Sequence, residues 1–136
     1  MPDINDIIYV GDLIYYNNSL LTLFHDKRYK LIIHRWCDLT EDRVHNIYLT
    51  FYVELHVLED YFNKKITEYD FIKLGESFLI TDYVLKLTFE NIPLNYLPDK
   101  SVYLDTYFSN RELIKNFIKI KKMIDRKDKI WKQKYL

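Results

Sequence analysis

Hydrophobic positions follow two different periods along the chain, and the change of period separates strands from helices. Short runs of β-branched and aromatic residues, separated by turn residues, fill residues 7–53. Three of these runs predict an antiparallel meander over residues 17–53, with a charged turn at residues 25–28 and a polar connection at residues 37–43. Two earlier runs predict strands at residues 7–10, ended by Gly11 and Asp12, and at residues 13–16, ended by Asn17 and Asn18.

After residue 53, apolar residues recur every three or four positions, which is the spacing of an amphipathic helix. Residues 55–63 predict one such helix. Thr67, followed by Asp70, predicts the capped start of a second short helix that ends at Gly75. Two runs at residues 77–89, separated at residue 82, then predict a strand pair, and the prolines that follow predict an irregular segment up to residue 105.

From residue 110 to the end, the pattern predicts one long helix with two ordered stripes. The apolar stripe is Leu113, Phe117, Ile120, Ile124 and Trp131. The basic stripe, about half a turn away, is Lys115, Lys119, Lys122, Arg126, Lys129 and Lys132. The predicted class is α+β, with an antiparallel sheet of about five strands, two short helices and the long C-terminal helix. Residues 1–108 form the α+β domain in this interpretation, and residues 109–136 either belong to the same structural unit or serve as a dimerisation element.

Composition agrees with a folded domain but shows an uneven distribution of charge. The 136 residues are 49% hydrophobic and 17% aromatic, which excludes a disordered chain. The net charge is zero, yet residues 1–110 carry 10 Lys/Arg against 17 Asp/Glu, a balance of −7. Residues 111–136 carry 10 against 3, a balance of +7. The C-terminal helix is therefore a candidate contact element for an acidic partner or for phosphates.

Several classes of protein are disfavoured by what the sequence lacks. A single Cys and four His argue against a disulfide framework and a structural zinc site. No phosphate-binding glycine loop, dinucleotide fingerprint or nucleophile elbow occurs, and no cofactor or metal is inferred. The acidic N-terminus predicts no signal peptide, and no apolar run is long enough to cross a membrane, so the expected location is the cytoplasm.

Two groups of residues have side chains that are suited to catalysis. Glu54, His56, Glu59 and Asp60 lie together on a predicted helix, where His56 and Glu59 could share a metal or a proton. Because no second histidine occurs at a metal-binding spacing in the sequence, a solvated acidic face is the favoured interpretation. His34 and Cys37 lie at an odd offset on a predicted strand, which puts them on opposite faces. Cys37 is therefore expected to be a small buried hydrophobic residue, and an enzyme is the minority interpretation.

Four short motifs in the meander and after it follow one another in a distinctive order. They are Leu20-Leu21-Thr22-Leu23-Phe24-His25-Asp26, Trp36-Cys37-Asp38, Leu58-Glu59-Asp60-Tyr61 with Ile66, and Tyr96-Leu97-Pro98 with Tyr103-Leu104-Asp105. In this order they resemble an uncharacterised family of small bacterial and phage-borne domains. The resemblance spans residues 10–108 and leaves the long helix outside it. It implies a fold and no chemistry.

The favoured functional hypothesis is a non-enzymatic protein–protein interaction module of adaptor or inhibitor type. The long helix would form a homodimer or contact another protein, with Phe117, Ile120, Ile124 and Trp131 as the candidate seam of a helix pair. The alternative is a nucleic-acid-binding protein that uses the six cations of the basic stripe, although the acidic remainder of the chain argues against it. A third hypothesis, an enzyme of unrecognised type, would need carboxylates to converge in one pocket. No small-molecule ligand and no membrane partner are inferred.

Overall fold

The computed structural model describes residues 7–15, 19–37, 47–80, 83–104 and 111–135. Within these ranges the chain forms one antiparallel sheet of six strands and three α-helices, which confirms the predicted α+β class. The strands are β1 (Ile8–Tyr15), β2 (Ser19–His25), β3 (Leu31–Cys37), β4 (Ile47–Val53), β5 (Glu76–Ile80) and β6 (Tyr83–Leu87). The helices are α1 (Leu55–Phe62), α2 (Glu68–Lys73) and α3 (Arg111–Tyr135). Strand order in the sheet follows the order along the chain, so every neighbouring pair is consecutive in sequence.

The predicted meander is present, and its register places alternate side chains on opposite faces. Ile33 at the middle of β3 lies between Leu23 of β2 and Phe51 of β4. All three side chains are fully buried in the main core. The charged turn between β2 and β3 is held by Asp26, whose carboxylate accepts hydrogen bonds from the backbone N–H groups of Arg28 and Lys30, at 2.8 and 2.9 Å. Most of the predicted connection at residues 37–43 lies outside the described residues.

The prediction that Gly11 and Asp12 end a strand is wrong, because both lie inside β1. The pairing with β2 shifts register between Tyr9 and Gly11, so the strand accommodates an irregularity where a turn was expected. The glycine is needed for close packing of α3: a Cβ atom at position 11 would lie 2.9 Å from the Leu113 Cβ and 3.1 Å from its Cα. The Asn-Asn turn predicted after this strand lies outside the described residues.

The main core lies on the face of the sheet that carries the helices. It joins alternate side chains of β1 to β5 with buried residues of α1, α2 and α3. The helix α1 contributes Leu58 and Tyr61, as its periodicity predicts, and also Val57, which the predicted spacing did not include. The start of α2 is capped by Thr67, whose hydroxyl accepts a hydrogen bond from the Asp70 N–H at 3.2 Å.

The segment after β6 is irregular, as its prolines predict. It contains two 3₁₀ turns, Phe89–Asn91 and Leu94–Tyr96. Ile92 between them is buried in the core. The segment therefore covers part of the core without adding a strand.

The long helix α3 has 25 residues, which corresponds to about 37 Å. Its first half packs on the body, where Asn116 donates a hydrogen bond to the Val10 carbonyl at 2.9 Å and Phe117 makes an edge-to-face contact with Phe62. From residue 125 to residue 134 every side chain is exposed. The body still contacts the helix at Lys127, whose ammonium group donates a hydrogen bond to the Arg28 carbonyl at 2.7 Å. None of the helices in the described ranges is both long and apolar enough to cross a membrane.

Candidate interaction surface on the C-terminal helix

The apolar stripe of α3 is divided between the core and the surface. Leu113 is buried, and Phe117, Ile120 and Ile124 pack against the main core of the same chain. Trp131, the last member, is 55% exposed, and its neighbour Ile130 is 59% exposed. Three of the four residues expected to form a helix seam therefore stabilise the domain itself. The role of Trp131 in contacting a partner stays a prediction.

The basic stripe is exposed along its whole length. Its six residues, from Lys115 to Lys132, all lie on the solvent side of α3. At 100° per residue, the first five fall within an arc of about 80°, and Lys132 lies about 60° further round. None of the six forms an ion pair with another residue in the described part of the chain. Lys121, which lies outside the stripe, pairs with Glu59 of α1 at 3.1 Å. The first five cations thus form an exposed basic surface, and the exposed Asp125 lies between Lys129 and Lys132 on the helix surface.

The acidic group of α1 lines a cavity that the sequence did not reveal. A cavity of about 350 Å³ opens where the turn after β2, the start of α1 and the middle of α3 meet. Its polar lining includes Glu54, His56, Glu59 and Asp128, and Leu31, Val53 and Ile124 contribute apolar surface. We call this the acidic cavity. Asp60 is not part of the lining. In the ranges the structure describes, no group of three or more His, Cys, Asp or Glu side chains is arranged to hold a metal ion.

His34 and Cys37 lie on opposite faces of β3, as expected from their odd offset. His34 stacks on Tyr48, with ring centres 4.2 Å apart, and forms a 2.8 Å hydrogen bond with the Thr50 hydroxyl. Burial lowers the pKa of His34 below its ordinary value, so the imidazole is neutral at pH 7. Cys37 is buried on the core face, and burial raises the pKa of its thiol although Arg35 acts in the opposite direction. A protonated thiol separated from the imidazole by the sheet is not an activated nucleophile.

A buried ion pair between Arg35 and Glu68 is the most important polar feature that sequence reasoning missed. The Arg35 Nε atom lies 2.6 Å from the Glu68 carboxylate, and its Nη1 atom donates to the Tyr96 carbonyl at 2.9 Å. The Glu68 N–H in turn donates to the Val102 carbonyl at 2.8 Å. Burial disfavours the charged guanidinium, but Glu68 raises the pKa of Arg35 above its ordinary value. The pair ties β3 and α2 to the irregular segment after β6.

Tyr61 lies beside this ion pair and is completely buried. Its hydroxyl has no hydrogen-bond partner among the described residues. Burial, together with the Glu68 carboxylate, raises the pKa of Tyr61 well above its ordinary range. The ring stacks on Phe71 of α2 with centres 4.3 Å apart. These contacts make the cluster a structural element of the core, and its charged groups are largely closed to solvent.

Comparison of the chain with family models, with curated proteins and with solved structures gives no match. The resemblance to a family of small bacterial and phage-borne domains therefore stays a prediction. What the fold defines is a small α+β protein: a six-stranded antiparallel meander with α3 packed along one part of it.

Proposed function

We propose that this protein is a non-enzymatic protein–protein interaction module of adaptor or inhibitor type, with the C-terminal half of α3 as its contact element. The observation that carries the proposal is the exposure of Ile130 and Trp131 in a helical segment whose side chains are all exposed. Tryptophan is among the residue types that contribute most to binding at protein interfaces, because it buries a large area at small entropic cost. Placing it on a rigid helix suits recognition by an apolar groove.

Charge supports a partner with an acidic surface. Lys129, Lys132 and Lys134 flank the apolar pair, and the segment from 129 to 134 contains no carboxylate. Such an arrangement accelerates encounter with an acidic surface and disfavours basic ones. Burial of the indole would then supply most of the affinity, with the lysines setting orientation.

Nucleic-acid binding is the second candidate, and the basic stripe is the observation that favours it. Five cations on one narrow face of a helix can each neutralise a phosphate and release counterions. The rest of the chain is acidic and would be repelled by the same phosphates. Protein binding is therefore ranked first.

The test is photo-crosslinking from position 131 in the cells that produce the protein. A benzophenone amino acid replaces Trp131 in one variant and Lys73, an exposed residue of α2, in the control. We expect a discrete protein adduct from position 131 and none from position 73, with the attached chain identified by mass spectrometry. Absence of any protein adduct at position 131 would contradict the proposal.

Nucleic-acid binding is tested separately with a fluorescent DNA duplex. A triple Lys115→Glu, Lys119→Glu, Lys122→Glu variant reverses the charge at the start of the basic stripe. If the second candidate is correct, the unmodified protein binds the duplex at low salt and releases it at high salt, and the variant does not bind. If neither protein binds at low salt, this candidate is rejected.

A further inference from the structure

The acidic cavity has a composition suited to an aromatic side chain that has positively charged residues next to it. It combines the carboxylates of Glu54 and Asp128, together with that of Glu59, which Lys121 already pairs at 3.1 Å, with the apolar surface of Leu31 and Val53. Among the lining residues that the structure describes, Lys30 is the only lysine or arginine. An apolar ring would be buried in this cavity, and positive charges next to the ring would pair with the carboxylates.

The same chain carries a group of this kind close to the cavity. Trp131 lies seven residues beyond Ile124, which lines the cavity. Seven residues are about 10 Å along the helix and return to the same helix face. Lys132 and Lys134 stand in the last turn beside the indole. One face of the molecule therefore presents the cavity and, two turns along α3, an exposed indole with adjoining lysines.

Complementary groups on one surface permit a symmetric contact between two copies. If two α3 helices run antiparallel about a two-fold axis between positions 127 and 128, residue 131 of each copy is level with residue 124 of the other. Because of the two-fold symmetry, both contacts form together, and the assembly is closed at two copies. The charge balance of +7 in residues 111–136 against −7 in residues 1–110 also favours contact between α3 and a second body.

We propose that the partner is a second copy of this chain and that Trp131 of each copy occupies the acidic cavity of the other. This inference rests on the proposed function, since it assigns the partner of the same helical segment. It differs from the predicted helix seam, because Phe117, Ile120 and Ile124 remain in the core of their own copy. Only the indole and the lysines that adjoin it cross to the other molecule.

Molar mass of the full chain in solution, measured by light scattering over a range of concentrations, is the first experiment. We expect a dimer. Trp131→Ala should raise its dissociation constant about tenfold or more, as is typical for loss of a buried tryptophan contact. Glu54→Lys, which reverses a charge in the cavity lining, should weaken the dimer as well. The matched controls are Ile114→Ala, an exposed apolar residue near the start of α3, and Glu90→Lys, an exposed acidic residue outside the cavity. A chain that stays monomeric at every concentration, or a dimer insensitive to Trp131→Ala, overturns the inference.

Mixing the two variants tests whether the indole acts on the other copy. A Trp131→Ala chain keeps an intact cavity, and a Glu54→Lys chain keeps its indole, so their heterodimer has one undamaged contact. We expect the heterodimer to be more stable than the average of the two homodimers, because in the heterodimer both changes fall in the same contact and leave the other contact intact. No excess of heterodimer would mean that Trp131 and Glu54 belong to unrelated contacts. Both residues are exposed, so unchanged unfolding temperatures at low concentration serve as the check on folding.

The crosslinking experiment separates failure of this inference from failure of the proposed function. An adduct between two copies, mapped by mass spectrometry to residues of the cavity, supports both. An adduct with a different protein overturns the self-association but leaves the interaction module standing. No protein adduct together with a monomeric mass overturns both, and a rise in mass on adding a duplex at low salt favours the nucleic-acid candidate.

Discussion

The ion pair between Arg35 and Glu68 allows a quantitative test of how the core is held together. The perturbation is Glu68→Gln, which keeps the shape and an acceptor but removes the negative charge. The side chains of Arg35 and Glu68 are only 15% and 10% exposed, so the guanidinium would remain buried without its counter-charge. Removing one partner of a buried pair costs about 3–5 kcal/mol, and the residual exposure places this case near 3 kcal/mol. For a chain of 136 residues, a loss of this size lowers the unfolding temperature by roughly 10 °C.

A matched control and a double variant make the test specific. Glu59→Gln removes the carboxylate that pairs with Lys121, where the side chains are 34% and 45% exposed, and should cost less than about 1 kcal/mol. Replacing both members of the buried pair, with Arg35→Met and Glu68→Leu, should cost less than Glu68→Gln alone, because no uncompensated charge remains. Urea unfolding followed by circular dichroism measures all three. If Glu68→Gln and Glu59→Gln differ by less than about 1 kcal/mol, the reasoning about burial is refuted.

Three further predictions concern the sheet and the docking of α3. Burial lowers the pKa of His34 below 6.5, so the unfolded chain binds a proton more readily and stability falls as the pH drops below about 6.5. Urea midpoints at neutral and mildly acidic pH should therefore differ less in His34→Gln than in the unmodified protein, and equal differences would contradict this. Gly11→Ala should cost about 2 kcal/mol by crowding the Leu113 side chain, and less in a Leu113→Gly background, which lacks the Cβ that the new methyl group meets; equal costs in both backgrounds would remove the proposed clash. Phe117→Ala should cost about 2 kcal/mol at every protein concentration, since this ring packs on its own core, whereas a loss seen only at high concentration would indicate an interface.

The C-terminal helix shows why part of a pattern can be interpreted from sequence and part cannot. Its period, its two stripes and its length are local properties, and they are found as predicted. The division of the apolar stripe, with Phe117 on the core and Trp131 exposed, depends on where the body ends relative to the helix. That relation is set by the packing of β1 and α1 against α3. No spacing within the helix contains it.

The sheet gives the same lesson at individual residues. Alternation of side chains determined the meander from β2 to β4, and Thr67 determined the start of α2, because both signals act within a few residues. Gly11 was misinterpreted, since a glycine that ends a strand and a glycine that admits a neighbouring helix look alike in sequence.

Pairings between distant parts of the chain were decided only by the tertiary structure. The Arg35–Glu68 pair joins residues 33 positions apart, and Glu54 and Asp128 line the same acidic cavity. Local sequence determined which residues form strands and helices through the periodicity of hydrophobic burial. Which charges meet was determined by the way those elements pack, because a charge has no periodic signal that identifies its partner.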